Sequence, residues 1–170
     1  MDRGIIISET RHGFICANAG VDASNMPQMN TVSLLPINPD HSATRIRETI
    51  RLRHGISIAV VISDTVGRPW REGAANIAIG VAGINPIRDY RKQRDAYGYP
   101  LQSTMISVAD ELAAVGELVS GKNTMIPAVL VRGYQYQESE SGSRKLLRPS
   151  ESDLFRKPAQ VIISLLPNPS

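Results

Sequence analysis

The chain has 170 residues, 42% of them hydrophobic and only 5% aromatic, so it can form one domain whose core is filled by aliphatic side chains. A net charge of +3, spread along the sequence, argues against a nucleic-acid partner and leaves a modest preference for anionic ligands. One cysteine (Cys16) and three histidines without ligand spacing exclude a disulfide framework and a cysteine-based zinc site, and no apolar run is long enough for a membrane span, so a reducing cytoplasm is the expected compartment.

In chain order, Gly4–Ser8 reads as a strand that begins almost at the first residue, which suggests the later part of a larger unit. Phe14–Ala17 is a short apolar centre that runs into Asn18-Ala19-Gly20-Val21-Asp22, with Ser24 and Asn25 just behind. These residues make a turn and also a cluster of oxygen donors; the turn is the more frequent use. Met26–Pro39 contains three prolines and reads as a loop with a short strand at Thr31–Leu35. Asp40 and Ser42 are capping residues for a helix whose apolar positions Ala43, Ile46 and Ile50 share a face, with Gly55 as its stop. Arg45, Arg47, Arg51 and Arg53 fall on the opposite, solvated side.

Ile56–Ile62 is β-branched and continuous, the pattern of a strand buried on both faces, and it stops at Ser63. In open α/β sheets ligands sit where strands end. Here the next residues are Asp64 and Thr65, oxygen donors suited to a hard cation such as Mg²⁺. Gly67 permits close backbone approach, and Arg68 offers a fork for carboxylate or phosphate. An ordinary strand end with Asx and Thr turns explains the same residues equally well.

Asn76–Gly83 reads as a second strand with small side chains, and Asn85–Pro100 as a polar connector or substrate loop. Ser103–Ser120 predicts a helix capped by Ser103 or Thr104, with Met105, Ala109, Leu112, Gly116 and Val119 on one face and Gly121 as the stop. Asp110, Glu111 and Glu117 are expected on its wetter sides. Met125–Val131 reads as a strand, Tyr134–Arg144 as a mobile hairpin tip or loop, Ser150–Arg156 as a capped helical turn and Gln160–Leu166 as a last apolar stretch. No repeat or linker divides the chain. The expected architecture is therefore a single α/β domain over 1–170: a mixed β-sheet with a few packed helices.

Gly-x-Ser-x-Gly and Gly-x-Gly-x-x-Gly are both absent, and Gly121-Lys122-Asn123-Thr124 comes after a helix rather than before one, so it is no P-loop. What remains is carboxylates and amides after apolar strands with Arg and Lys close by. Phosphoryl transfer asks for that set, because metal ions and fixed cations absorb the charge of the phosphates.

The run His12-Gly13-Phe14-Ile15-Cys16-Ala17-Asn18-Ala19-Gly20-Val21-Asp22, continued by Ser24-Asn25, resembles the coenzyme F420-0:L-glutamate ligase family (F420 γ-glutamyl ligases). So do Ser63-Asp64-Thr65, Gly67-Arg68-Pro69-Trp70-Arg71 and Ala78-Ile79-Gly80-Val81-Ala82-Gly83-Ile84. Asp89-Tyr90-Arg91, Asp110-Glu111-Leu112-Ala113, Glu117-Leu118-Val119, Gly121-Lys122, Val131-Arg132-Gly133 and Asp153-Leu154-Phe155-Arg156 continue the likeness in the same order. It matches the later two-thirds of the family's pattern; the opening third, which helps hold the nucleotide and build the dimer, has no counterpart.

The resemblance implies a GTP-dependent ligase. GTP phosphorylates the terminal carboxylate of F420-0, the α-amine of L-glutamate attacks the acyl phosphate, and a second glutamate is added by γ-linkage. It implies Mg²⁺ or Mn²⁺ together with K⁺, and a cytoplasmic homodimer built through extended strands, with neither nucleic acid nor membrane as partner. Asp22, Asp64 and Thr65 would hold metal. Asp22, Asp64 and Arg68 would form the catalytic set. Asn25, Thr65, Ser120, Gly121, Lys122 and Asn123 would line the nucleotide site. Lys122 stands where some members carry an acidic or amide metal ligand, and Asn76 and Lys92 replace an expected Asp and Gly. A binding-only fragment, one half of a split ligase, and a related ligase with another carboxylate acceptor are the competing readings.

Overall fold

In the computed structural model, which describes residues 6–154, the organising element is a long antiparallel hairpin of β3 (Val60–Arg68) and β4 (Arg71–Ala82). Its tip is Pro69-Trp70, and its ladder runs from Val60↔Ala82 to Arg68↔Arg71. Two minor hairpin-like ladders flank it: β1 (Ile7–Glu9) with β2 (Ile15–Ala17), and β5 (Ile87–Asp89) with β6 (Met105–Ser107). Two helices, α1 (Pro39–His54) and α2 (Val108–Ser120), pack against β4. The result is the expected mixed α/β architecture, with every described ladder antiparallel.

The core lies where α2 meets β4. Ala78, Val81, Ile84, Val108 and Ala109 form its buried centre, and Val61, Ile106, Leu112 and Leu146 close around it. Small residues dominate because backbone approaches backbone. At Gly80 a Cβ would stand 2.5 Å from the Pro39 carbonyl oxygen, so the start of α1 lies directly on β4. Gly80→Ala is therefore expected to destabilise the protein by about 1–3 kcal/mol, the usual range for overpacking, read as a lower midpoint in urea.

The register shift between Ile62↔Gly80 and Ser63↔Ala78 leaves Ile79 as an extra residue, a β-bulge. On either side of it, outward amides of β4 find carboxylates from the first turns of the helices. Asp110 of α2 accepts from Ala78 N at 2.9 Å. Asp40 of α1 accepts from Val81 N at 2.8 Å and from Ser143 N at 2.9 Å. Each carboxylate also faces the positive end of its own helix dipole.

Several expectations change in detail. The β3 strand does not stop at Ser63, because β4 extends the ladder beyond that point, and it is half-exposed rather than buried on both faces. The α1 cap is Asn38, whose Oδ1 accepts from His41 N at 3.0 Å, with Pro39 at the first helical position; Asp40 and Ser42 lie inside the helix. Gly55 closes α1 in the left-handed region, as expected. Arg47 leaves the solvated face: its Nε donates to Ile58 O at 3.0 Å and its side chain lies over Gly83. The second helix begins at Val108 rather than Ser103, because Met105–Ser107 is drawn into the ladder with β5. Its expected apolar face is buried only in the first half, and Val119 is exposed. Asp110 is spent on Ala78 rather than on solvent.

Thr31–Leu35 contributes only the isolated bridge Asp22↔Ser33, and Met125–Val131 forms no strand. Ser143, in the expected loop, is buried against Asp40. The capped turn is a short 3₁₀ turn at Ser150–Ser152. Gly4, Ile5, Phe155, Arg156 and the Gln160–Leu166 stretch lie outside the described residues.

Candidate cation and phosphate site

The hairpin register places Asp64 opposite Ile77 and Thr65 opposite Asn76, so both predicted donors sit on a paired strand instead of the loop expected after it. A rigid ladder, not a turn, holds them. Asp22 reaches the same region from the segment after β2. Its backbone pairs with Ser33 in both directions, N to O at 3.2 Å and O from N at 2.7 Å. Its carboxylate accepts from Ser24 N at 2.8 Å and Ser24 Oγ at 2.7 Å, an Asx turn in full. The turn reading is therefore right, and it coexists with convergence on Asp64.

That convergence is visible in the charges. The Asp64 carboxyl is pushed above its ordinary value first by burial and then by the Asp22 charge; the Thr65 amide and Lys122 pull the other way. Asp22 is held below its ordinary value by its Ser24 bonds, with a smaller contribution from Lys122. Burial and then the Asp64 charge push the Cys16 thiol above its ordinary value. Lys122 Nζ lies 3.9 Å from Asp22 Oδ2, an exposed pair of little energetic weight that still marks where the loop after α2 arrives. Asn25, at φ 54°, ties the same junction by donating from Nδ2 to Lys122 O at 2.9 Å.

Four of the predicted residues thus meet: Asp22, Asn25, Asp64 and Lys122; Thr65 follows Asp64 on the ladder, and its side chain lies on the other face of β3, with Ser63 and Asn76. Ser120 closes α2 and its carbonyl accepts the Thr124 hydroxyl; Gly121 comes next with its N–H on Glu117 O, and Asn123 is exposed beside Lys122. Arg68 is not brought in. It lies about 13 Å farther along β3 at 3.3 Å per residue, where its guanidinium caps the tip carbonyls of Glu72 at 3.5 Å and Gly73 at 3.2 Å.

Two further residues belong to the region. Thr65 Oγ1 donates to Asn76 Oδ1 at 2.7 Å, and Asn76 Nδ2 donates to Glu117 Oε2 at 3.2 Å. The sequence offered one sign of this, a lone amide inside the apolar run Ala74–Ala78; Glu117 looked like a surface acid.

Among the described residues no three His, Cys, Asp or Glu side chains gather into a metal cage. The donors present among the described residues are two carboxylates, one of them disfavoured in its charged state by burial and by its neighbour. A hard cation relieves that repulsion, and Mg²⁺ ordinarily takes only one or two protein carboxylates plus phosphate and water oxygens. The residues fit such an ion.

A separate cleft of about 210 Å³ lies between Arg88, Tyr134 and Tyr136 at the start of α2. The length of the helix, ~18 Å at 1.5 Å per residue, separates it from the acids. No described helix is long and apolar enough to cross a membrane.

The family model for F420-0:gamma-glutamyl ligases matches residues 1–133. The coenzyme F420:L-glutamate ligase of Methanothermobacter thermautotrophicus is 51% identical over 154 residues, 89% of this chain and 61% of that protein. The enzyme of the same name from Methanocaldococcus jannaschii is 44% identical over 155 residues, 91% of this chain and 61% of that one. That of Methanococcus maripaludis strain C7 is 41% identical over 152 residues, 89% of this chain and 60% of its own length. The chain thus spans about three-fifths of the length of the curated relatives it matches.

Proposed function

This chain belongs to the F420-0:gamma-glutamyl ligase family, and we propose that it carries the cation- and phosphate-handling part of a GTP-dependent ligase that joins L-glutamate to F420-0. The observation that carries the reading is the meeting of Asp22 and Asp64, from distant segments, beside Lys122. Such a pair of acids has no structural need of each other; a cation with its phosphates gives them one.

In this reading the terminal carboxylate of F420-0 attacks the γ-phosphorus of GTP, releasing GDP and leaving an acyl phosphate. The glutamate amine then adds to the acyl carbon, phosphate departs with the C–O bond electrons, and the amine loses a proton as the amide forms. Asp22 and Asp64 would hold a Mg²⁺ or Mn²⁺ ion, while the Thr65 hydroxyl, on the other face of β3, stays with Asn76. When bound, that ion neutralises phosphate charge in the transition state. Lys122, a flexible point charge, turns from Asp22 to a phosphate oxygen. Asn25 and the Ser120–Asn123 loop line the nucleotide, and the Asn25 bond to Lys122 O keeps the two segments in register. Arg68 keeps the hairpin tip in shape rather than touching the reacting phosphate. K⁺ and a homodimer through extended strands complete the proposal without residues assigned to them.

The test is calorimetry and turnover on the protein. Mn²⁺-dependent GTP binding is expected, and GTP consumption only when F420-0 and glutamate are both supplied. Binding without a glutamylated product would leave the binding-only reading. No Mn²⁺ binding at all overturns the proposal.

A further inference from the structure

The cleft at the start of α2 lies apart from the acids, and its lining carries one sign of charge. Arg88 lines it, and none of the described lining residues is a carboxylate. Among the described residues, neither Arg88 nor Lys145, which is bonded to the lining residue Asn85, forms an ion pair. The Arg88 guanidinium is still held in place: its central carbon stands 5.1 Å from the centre of the Tyr90 ring, a cation–π contact.

A chain of directed bonds fixes a second donor. Lys145 Nζ can only donate, and it meets Asn85 Oδ1 at 2.9 Å. Asn85 must therefore turn its NH₂ elsewhere, and Nδ2 donates to Gln137 Oε1 at 3.2 Å. The backbones repeat the tie, Asn85 N to Gln137 O at 2.8 Å. With its oxygen taken, the Gln137 side chain has its NH₂ left to offer. The Tyr134 and Tyr136 hydroxyls can donate too, while Ile87, Val108 and the two rings supply apolar surface. A guanidinium, an amide NH₂ and two phenols beside apolar surface suit an oxyanion on an organic body. The cleft measures about 210 Å³, below the ~300 Å³ at which pockets for drug-sized ligands begin, so its occupant is small or one end of a longer molecule.

We propose that this cleft is a second ligand site, for a small organic anion, with Arg88 as its anchor and Gln137 as a pre-set donor. The inference does not depend on the cation site. In the ligase reading the reacting carboxylate belongs at the acids, ~18 Å away along α2. The cleft then holds either a free carboxylate such as L-glutamate or the end of F420-0 remote from its reacting group.

The experiment is a metal-free titration of the protein with benzoate, L-glutamate and F420-0 in turn, followed by amide NMR shifts. Saturable shifts at residues 85–88 and 134–137 are expected with at least one of them. Arg88→Gln should weaken that binding about 10-fold, the weight of one charge-assisted hydrogen bond. Should Arg88→Gln disturb shifts throughout the fold, Gln137→Leu takes its place, with a several-fold loss. Saturation by L-glutamate supports the inference with a free amino acid as occupant, saturation by F420-0 but not L-glutamate supports it with the acceptor, and saturation by benzoate alone supports it with another organic anion. No saturable shift at these residues with any of the three overturns it, as does unchanged affinity in Arg88→Gln, or in Gln137→Leu where that replaces it. Metal is absent and Asp22 and Asp64 are untouched, so the result stands whether or not those acids hold a cation.

Discussion

Asp40→Ala is expected to lower the stability of the fold by about 4 kcal/mol, because it orphans two amides at once. Asp40 Oδ1 accepts from Val81 N in the bulged strand and from Ser143 N in the segment that covers it. Ser143 is 5% exposed and Val81 2%, so water cannot take the place of the carboxylate. A buried donor left without a partner costs about 1–3 kcal/mol, and bonds to a charged acceptor sit at the upper end. Asp40 also lies in the first turn of α1, where a negative charge adds a few tenths to about 1 kcal/mol. Against a total stability of about 5–15 kcal/mol for a typical domain, that loss is severe. Asp40→Asn separates the contributions: the amide oxygen can still accept both bonds, so only the charge is lost, about 1 kcal/mol. Urea unfolding of the three proteins reads this directly. A loss below about 1 kcal/mol in the alanine variant would mean that the two amides find other partners.

What was legible in the sequence was local. Gly55 and Gly121 ended helices as read, because a C-terminal glycine acts on its own turn. The end of β3 is not legible in the local sequence because a strand stops where its partner stops, and that partner is β4, beyond the Pro69-Trp70 tip. The start of α2 failed for a similar reason. Met105–Ser107 shares helical spacing with the residues of α2, yet β5 offers it a ladder. Asp40 and Asp110 looked like a cap and a surface acid; their roles depend on amides 41 and 32 residues away. Of the site, the acids and Lys122 are legible as residue types, and the roles expected of them come from the resemblance alone. Asn76 and Glu117 were not, since no pattern announces a bond between an amide on a strand and a carboxylate 41 residues later.

Asp64→Asn is expected to do two opposite things: weaken Mn²⁺ binding by about 100-fold or more, beyond the range that outer partners contribute, and leave the fold as stable as before or more so at neutral pH. The first comes from removing one of the two carboxylates that meet there among the described residues. The second comes from the raised pKa of Asp64, where burial, then the Asp22 charge, disfavours the ionised form. A carboxyl raised above its unfolded value of 3.8 carries no penalty below that value, because it is protonated in both states. The penalty grows as pH rises through the folded value and is complete above it. Asparagine never ionises, so its advantage should be absent below about pH 3.8 and full at neutrality, read as a difference in Tm between the two proteins across that range. Asp22 gives the contrast. Its Ser24 bonds hold its pKa down, so its charge is favoured by the fold, and Asp22→Asn should lose both Mn²⁺ and stability at neutral pH. Two acids at one site, one tolerated and one welcomed by the protein, are the pattern of a place where the fold gives up stability to keep a charge ready. If Asp64→Asn melted earlier than the wild type at neutral pH, Asp64 would be a structural residue and the cation reading would lose its main support.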